Sequence, residues 1–187
     1  MPALVPPVLA PGALSGVAQP TLVGAELVLR PWGSTDAPVI ASSYADGDIQ
    51  RWHGRTMSID EAGDWIASRA ARWMREVGAD WAVTRDGAVV GRVGLRTIDL
   101  AEGHGEVAYW VRPAFRGCGV APTAVEALSS WAFGLGLHRL ELRHSVVNES
   151  SCRVAEKTGF ALEGTLRRHL MHADGWHDMH LHARLAD

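Results

Sequence analysis

The stretch Gly105–Gly136, GEVAYWVRPAFRGCGVAPTAVEALSSWAFGLG, changes character twice. A β-branched and aromatic run, Val107 to Val111, reads as a strand; a loop with two glycines follows; then Val125, Leu128, Ala132 and Leu135 recur at helical spacing. Strand, glycine turn and helix together suit one chemical use. Unpaired N–H groups at a helix start carry the positive end of the helix dipole and hold phosphates. In Arg116-Gly117-Cys118-Gly119-Val120-Ala121 the glycines permit close approach of an anion, Ala121 keeps the helix start open and Arg116 adds a cation. Pro122 fits the first helical turn, where its missing N–H costs nothing. There is no Gly-Lys-Ser/Thr of a P-loop and no third glycine of a dinucleotide fingerprint.

The deciding context lies downstream, at Asn148-Glu-Ser-Ser151-Cys-Arg-Val-Ala-Glu156-Lys157-Thr-Gly159-Phe160. With both motifs in hand, the chain resembles the GNAT superfamily of acyl-CoA-dependent N-acyltransferases. Arg116 to Ala121 matches that family's pyrophosphate pattern, Gln/Arg-x-x-Gly-x-Gly/Ala, and the Asn148 segment is similar to the Rim-type branch, which acetylates ribosomal-protein N-termini. The similarity runs from about Thr21 to Leu185. The resemblance implies an α+β fold with a mixed, mostly antiparallel sheet, flanked by helices and splayed between its fourth and fifth strands. It also implies acetyl-CoA as co-substrate. The pantetheine arm would enter the splay and pair with main-chain groups near Trp110 and Val111. The pyrophosphate would rest on Arg116, Gly117, Cys118, Gly119, Val120 and Ala121, with Asn148 and Ser151 also touching the cofactor.

Composition bounds the rest. A chain of 187 residues that is 47% hydrophobic makes one domain with a substantial core, and two full domains would be cramped. A net charge of −3 gives no basic field for nucleic acid. Two cysteines, Cys118 and Cys152, make no disulfide framework and have no metal spacing, which fits a reducing cytoplasm. Residues 1–20 are apolar but broken by prolines and lack a basic start, so they read as an irregular arm rather than a signal peptide or membrane span. Residues 21–187 form the domain. Expected partners are acyl-CoA and an amine, either a protein or peptide N-terminus or a small amine, with no nucleic acid, no membrane and a homodimer left open.

In chain order, Leu22–Leu29 reads as the first strand and Ser34-Thr35-Asp36 as the cap of a short helix ending at Asp46-Gly47. The next segment, Asp48 to His53, reads as a loop; in the GNAT arrangement it borders the acceptor site, with Trp52 as core plug or acceptor wall and His53 as an exposed loop histidine or acceptor contact. Ser58-x-x-Glu61 is a capping box, and behind it Ala62, Trp65, Ile66 and Trp73 face a core while Arg69, Arg72 and Arg75 form a solvated face or one that presents charge to a substrate. Asp86-Gly87 marks a two-residue hairpin, and Gly91 and Gly94 a bulge or close backbone approach. Leu140–Val146 is the fifth strand, and Phe160–Leu170 with Trp176–Leu185 closes the fold as a hairpin. His180-x-His182 lies on the polar side of the last strand; an exposed polar face accounts for it better than a metal site, and no metal is expected.

The chemistry needs a positioned thioester, a neutral amine, an oxyanion donor and a proton for the departing thiolate. Ser151 lies one helical turn from Asn148 on the same face, so its hydroxyl is the candidate donor to that thiolate. Many relatives carry a tyrosine seven residues after the asparagine; here it is Ala155. Some Rim-type relatives place a glutamate base nineteen residues beyond the serine; here it is Leu170. Glu106 and Glu141, on the strands flanking the cleft, remain as candidate bases through water, with Glu106 preferred. Cys118, beside Arg116 at a helix start, is expected to be the more reactive cysteine. An N-acetyltransferase acting on α-amines leads, ahead of one acting on polyamines or aminoglycosides and of a binding module without catalysis.

Overall fold

The computed structural model describes residues 4–186; residues 1–3 of the expected arm and Asp187 lie outside it. Eight strands and five α-helices follow one another as β1 (Leu22–Gly24), β2 (Leu27–Pro31), α1 (Ala37–Tyr44), α2 (Gly47–His53), α3 (Ile59–Met74), β3 (Ala79–Arg85), β4 (Ala88–Asp99), β5 (His104–Val111), α4 (Val120–Leu135), β6 (Arg139–Ser145), α5 (Glu149–Lys157), β7 (Ala161–His172) and β8 (Gly175–Leu185). They form one sheet ordered β1-β2-β3-β4-β5-β6-β8-β7. Every neighbouring pair is antiparallel except β5 and β6. That parallel pair is joined through α4, as a parallel connection requires.

Two expectations fail locally. The single first strand is a hairpin: Ala25 turns at φ +47°, and the chain doubles back in antiparallel register, with Gly24 facing Leu27 and Val23 facing Val28. The expected loop after Asp46 is the short helix α2, capped by the Asp46 carboxylate on the Ile49 N–H and closed by Gly54 at φ +61°. Ile49 is its one buried residue, too few for a periodicity to be read from sequence. The Ser58–Glu61 capping box forms in both directions. Asp86 and Gly87 both take positive φ, as a type I′ hairpin demands. The β3–β4 register shifts between Val83 and Thr84 so that Val90 is passed over, and a side chain on Gly91 would lie 2.7 Å from the Trp110 carbonyl.

Alternation along β5 distributes its side chains to two cores. Val107, Tyr109 and Val111 join the main one with Val125, Leu128 and Ala132 of α4 and Leu140 and Leu142 of β6. Trp110 joins a second, with Ile40 and Tyr44 of α1, Ile49 of α2 and Ala62 and Trp65 of α3. The arm packs on this domain: Leu14 is fully buried in the main core, the Trp73 and Trp81 indoles donate to the Val17 and Pro20 carbonyls, and Glu76 accepts the N–H groups of Gly12, Leu14 and Ser15. Among the described residues no helix is long and apolar enough to cross a membrane.

Two polar faces are not the solvated surfaces expected. Arg69 reaches Asp80 at 3.3 Å and lies 4.7 Å over the Trp65 ring, while Arg72 donates to the Val77 and Arg96 carbonyls. In β8, His182 is only 1% exposed, because this face of the sheet is roofed by α5 and not by solvent. Strand alternation identified the shared face correctly; which side carries a helix is a tertiary fact.

Candidate active site

β5 and β6 pair only from His104 to Val107 with Arg139 to Leu142; beyond that the strands part. The gap leaves Ala108–Val111 without a β6 ladder partner, which backbone polar groups accept only where side chains, water or a ligand replace the ladder; Arg116 Nε donates to the Val111 carbonyl at 3.2 Å. Two cavities meet there. One, of about 540 Å³, runs along Gly117, Gly119, Val120 and Ala121 to Arg153 and Lys157 of α5. The other, of about 750 Å³, lies among α3, β4, β5, β6 and β7. Trp52, His53, Tyr109, Asn148 and Ser151 line both.

The first cavity has the features of an anion site. Gly117 and Gly119 take φ of +75° and +74°, and a side chain on either would meet no atom within 4 Å, so the space above the turn is open. Val120 starts a 16-residue helix whose first N–H groups face that space. Trp110, Val111, Val120 and Ala121 also line it. Arg116 behaves differently from the sequence expectation: its guanidinium is bound by Asp48 at 2.7 Å and Asp46 at 2.6 Å, so its charge is already matched and it ties α2 to the turn. The other cations lining this cavity are Arg51, 3.9 Å from Asp174, Arg153, in an exposed pair with Glu149 at 3.4 Å, and Lys157; sequence reasoning passed over Arg153 and Lys157 because they are charged positions on an ordinary amphipathic helix. Cys118 is exposed, lies outside the cavity lining and sets its thiol 3.5 Å from the Arg116 carbonyl.

At the junction, Asn148 caps α5: its side-chain oxygen accepts from the Ser151 N–H at 3.1 Å and the Ser150 hydroxyl at 2.8 Å, leaving the amide NH₂ as a donor toward the cavities. Ser151 Oγ lies 2.7 Å from the Tyr109 hydroxyl. A tyrosine is therefore present, delivered from β5 and not from α5, where Ala155 stands. Burial pushes Tyr109 up to about 12 against the opposing pull of the Ser151 bond, so it stays protonated. The signal for Tyr109 was its place one residue before Trp110, on the opposite face of the organising strand.

His53 is not an exposed loop histidine. Burial, then the positive charge of Arg92, with Arg55 and Arg96 behind it, hold its pKa down at about 3 against the opposing pull of the Tyr109 backbone, so it is neutral. Trp52 packs edge-on against His172 and His177 at the tip of the β7–β8 hairpin, which seats α2 over the junction. The two carboxylates separate. Glu106 lines the second cavity, 3.6 Å from Arg96. Glu141 lines neither cavity: burial works against its charge, but Arg143 and Arg139 bind both its oxygens and hold its pKa low, which removes it as a base. Leu170 faces the second cavity with an apolar side chain.

The second cavity is cationic. Arg55, Arg69, Arg72, Arg92, Arg96 and Arg143 line it with Glu106 as its one carboxylate, and only Asp80, Glu106 and Glu141 reach those six guanidinium groups in ion pairs among the described residues.

Residues 26–161 match the family model described as an acetyltransferase (GNAT) domain. YdaF of Bacillus subtilis (strain 168) is 32% identical over 110 residues, 56% of this chain and 60% of that protein. The ribosomal-protein-serine acetyltransferase of Escherichia coli (strain K12) is 28% identical over 106 residues, 56% of this chain and 59% of that protein. The matches thus span about three fifths of these curated relatives' lengths. Among solved structures, RimL, a ribosomal L7/L12 α-N-protein acetyltransferase in complex with coenzyme A, superposes with a TM-score of 0.82 over 88% of this chain and 97% of that one at 20% identity. With the family model covering most of its length, and the glycine turn and strand splay in place, this chain belongs to the GNAT acetyltransferase family.

Proposed function

We propose that this protein transfers an acetyl group from acetyl-CoA to the α-amine of a protein or peptide N-terminus that carries acidic residues near that end, and that it does so in the cytoplasm. The observation that carries the reading is the junction of an open anion turn with an arginine-lined cavity at Tyr109 and Ser151. Cofactor phosphates would lie on the turn before α4 with Arg153 and Lys157 beside them. The thioester would then sit at the junction, and the amine would come from the arginine side. A polyamine or aminoglycoside, itself polycationic, would face an excess of three positive charges there. Carboxylates would be attracted by the same field, and Arg binds them bidentately.

Chemically, the amine attacks the thioester carbonyl, the tetrahedral intermediate expels the CoA thiolate, and one proton must leave nitrogen while another reaches sulfur. Ser151 donates to the developing thiolate as Tyr109 donates to Ser151. Neither residue needs to ionise, which suits a tyrosine held near 12. His53, with a pKa of about 3, is too weak a base to deprotonate an ammonium group. The amine therefore arrives neutral, with water beside Glu106 taking the later proton. An α-amine of pKa about 8 is roughly one-tenth neutral at pH 7, whereas a lysine amine near 10.4 is neutral at about four parts in ten thousand.

The test is a set of three peptides with acetyl-CoA: an acidic sequence with a free N-terminus and acetylated lysine, the same sequence with a blocked N-terminus and free lysine, and a basic sequence with a free N-terminus. The first should react fastest, with a rate that climbs with pH toward the α-amine pKa and shows no inflection from His53. Equal rates for blocked and free peptides would overturn the α-amine assignment, and a faster basic peptide would overturn the acidic one. A protein that binds CoA yet turns over none of these or a polyamine is a binding module.

Ser151→Ala and Tyr109→Phe should each lower kcat roughly tenfold to a hundredfold, within the range for a lost proton donor, while CoA affinity stays near wild type. Because the two hydroxyls act in series, the double variant should be little slower than either single one. Multiplicative losses in steady-state assays would separate the two residues.

A further inference from the structure

Between α5 and strands β6 and β8, beside the second cavity that His144 lines, three histidines and a cysteine converge. His144 of β6, His180 and His182 of β8 and Cys152 of α5 each present one donor atom, and these four atoms lie within 4.8 Å of one another. His144 and His182 are 4% and 1% exposed. None of the four is needed by the chemistry above.

Hydrogen bonding fixes the tautomers of two of these rings. His144 Nδ1 lies 2.8 Å from the Ser145 carbonyl, and His182 Nδ1 lies 3.2 Å from the Phe160 carbonyl. A carbonyl only accepts, so both Nδ1 atoms carry the proton and both Nε2 atoms present lone pairs. Those two Nε2 atoms face each other at 3.2 Å. Two lone pairs at that distance repel unless something positive lies between them or beside both. His180 adds an Nδ1 that is buried with no hydrogen-bond partner among the described residues.

We propose that His144, Cys152, His180 and His182 form a closed structural site for a divalent zinc ion. Tetrahedral zinc with Zn–N bonds of about 2.0–2.1 Å separates its nitrogen ligands by about 3.3 Å, close to the spacing of the two Nε2 atoms. Three imidazoles and one thiolate are a borderline-soft set that suits zinc and not magnesium or calcium. The Nδ1–H bonds to the Ser145 and Phe160 carbonyls are the outer-shell contacts that orient metal-bound histidines. On binding, the Cys152 thiol, now 3.6 Å from a Glu156 carboxylate oxygen, loses its proton to solvent. The ion would pin the first turn of α5 to β6 and β8, and that turn also carries Ser151 and the Asn148 cap.

The experiment loads the chelator-treated full chain with Zn²⁺ or Co²⁺. One metal ion per chain should bind, and the Co²⁺ form should show tetrahedral d–d bands with a thiolate-to-cobalt charge-transfer band. That band should vanish in Cys152→Ser and persist in Cys118→Ser. His180→Ala, at a half-buried position, should weaken zinc binding by more than about a hundredfold, beyond the loss of an outer-shell partner. The proposal fails if wild type binds no more tightly than His180→Ala, or if the charge-transfer band survives Cys152→Ser. It fails equally if ¹⁵N NMR of the zinc-exposed wild type shows an imidazole–imidazolium pair at His144 and His182, which means a proton fills the gap instead. If a variant does not fold, the wild-type stoichiometry and the NMR spectrum still decide.

Discussion

Gly119→Val should abolish CoA binding, lowering affinity by more than about a hundredfold in calorimetry while the chain still folds. Gly119 caps α4 at φ +74°, a conformation that costs an L-residue about 1–2 kcal/mol and is worst for a β-branched one. A Cβ at this position meets no atom within 4 Å, so the valine side chain would extend into the open space through which an anion reaches the N–H groups of the helix start. If the backbone relaxes toward negative φ, those N–H groups turn away from the cavity. Both responses remove the same contacts. The control is Gly134→Ala, inside α4 with open space and an ordinary φ, which should stabilise the fold by about 0.5–1 kcal/mol and leave affinity unchanged. A folded Gly119→Val protein that binds CoA with near wild-type affinity would show that the phosphates lie elsewhere.

Asp80→Asn should cost about 3–5 kcal/mol of stability, the penalty for leaving a buried charge without its partner. Asp80 has no exposed side-chain surface. It accepts from Arg92 Nε at 2.6 Å, from Arg92 Nη2, and from Arg69 Nη1 at 3.3 Å. Burial works against the Arg92 charge, and Asp80, with Tyr44, more than offsets it. Asparagine keeps the shape and removes the charge, so two guanidinium groups over the Trp65 ring lose their common counter-ion. The pair fits where it does because Gly94, directly across from Asp80, has no side chain to collide with it. Urea unfolding of the two proteins measures the difference. A cost below about 1 kcal/mol would mean that the second cavity's water already solvates Arg92. The same variant also probes the second cavity, since Asp80 pairs with two of the arginines that line it.

The legibility of this chain follows the range of the interactions involved. The glycine turn, the Asn148 cap, the Ser58–Glu61 box and the Asp86-Gly87 hairpin each depend on residues within a few positions of one another, and each stands where the sequence places it. The α2 helix is unreadable in sequence because seven residues with one buried position carry no period, and its Asp46 cap alone announces it. Arg116 reads as a free cation from its own neighbourhood. Its partners, Asp46 and Asp48, come from about seventy positions earlier. Tyr109 escapes notice for the opposite reason: the family pattern directs attention to α5 for a tyrosine, while the hydroxyl arrives there from β5, 42 positions upstream in the chain.

From the sequence alone came the family resemblance, the glycine turn before α4 and the two-faced alternation of β5 and β8, because local backbone preference and side-chain periodicity are written residue by residue. Tertiary structure alone decided which face of each strand meets a helix, which charges are already paired and which cavities join. Those depend on what the sheet order brings alongside, and no spacing along the chain encodes it. Thus His182 proved buried under α5 instead of exposed, Glu141 was locked between two arginines, and six arginines from α3, β4, β6 and the segment after α2 came to surround one cavity.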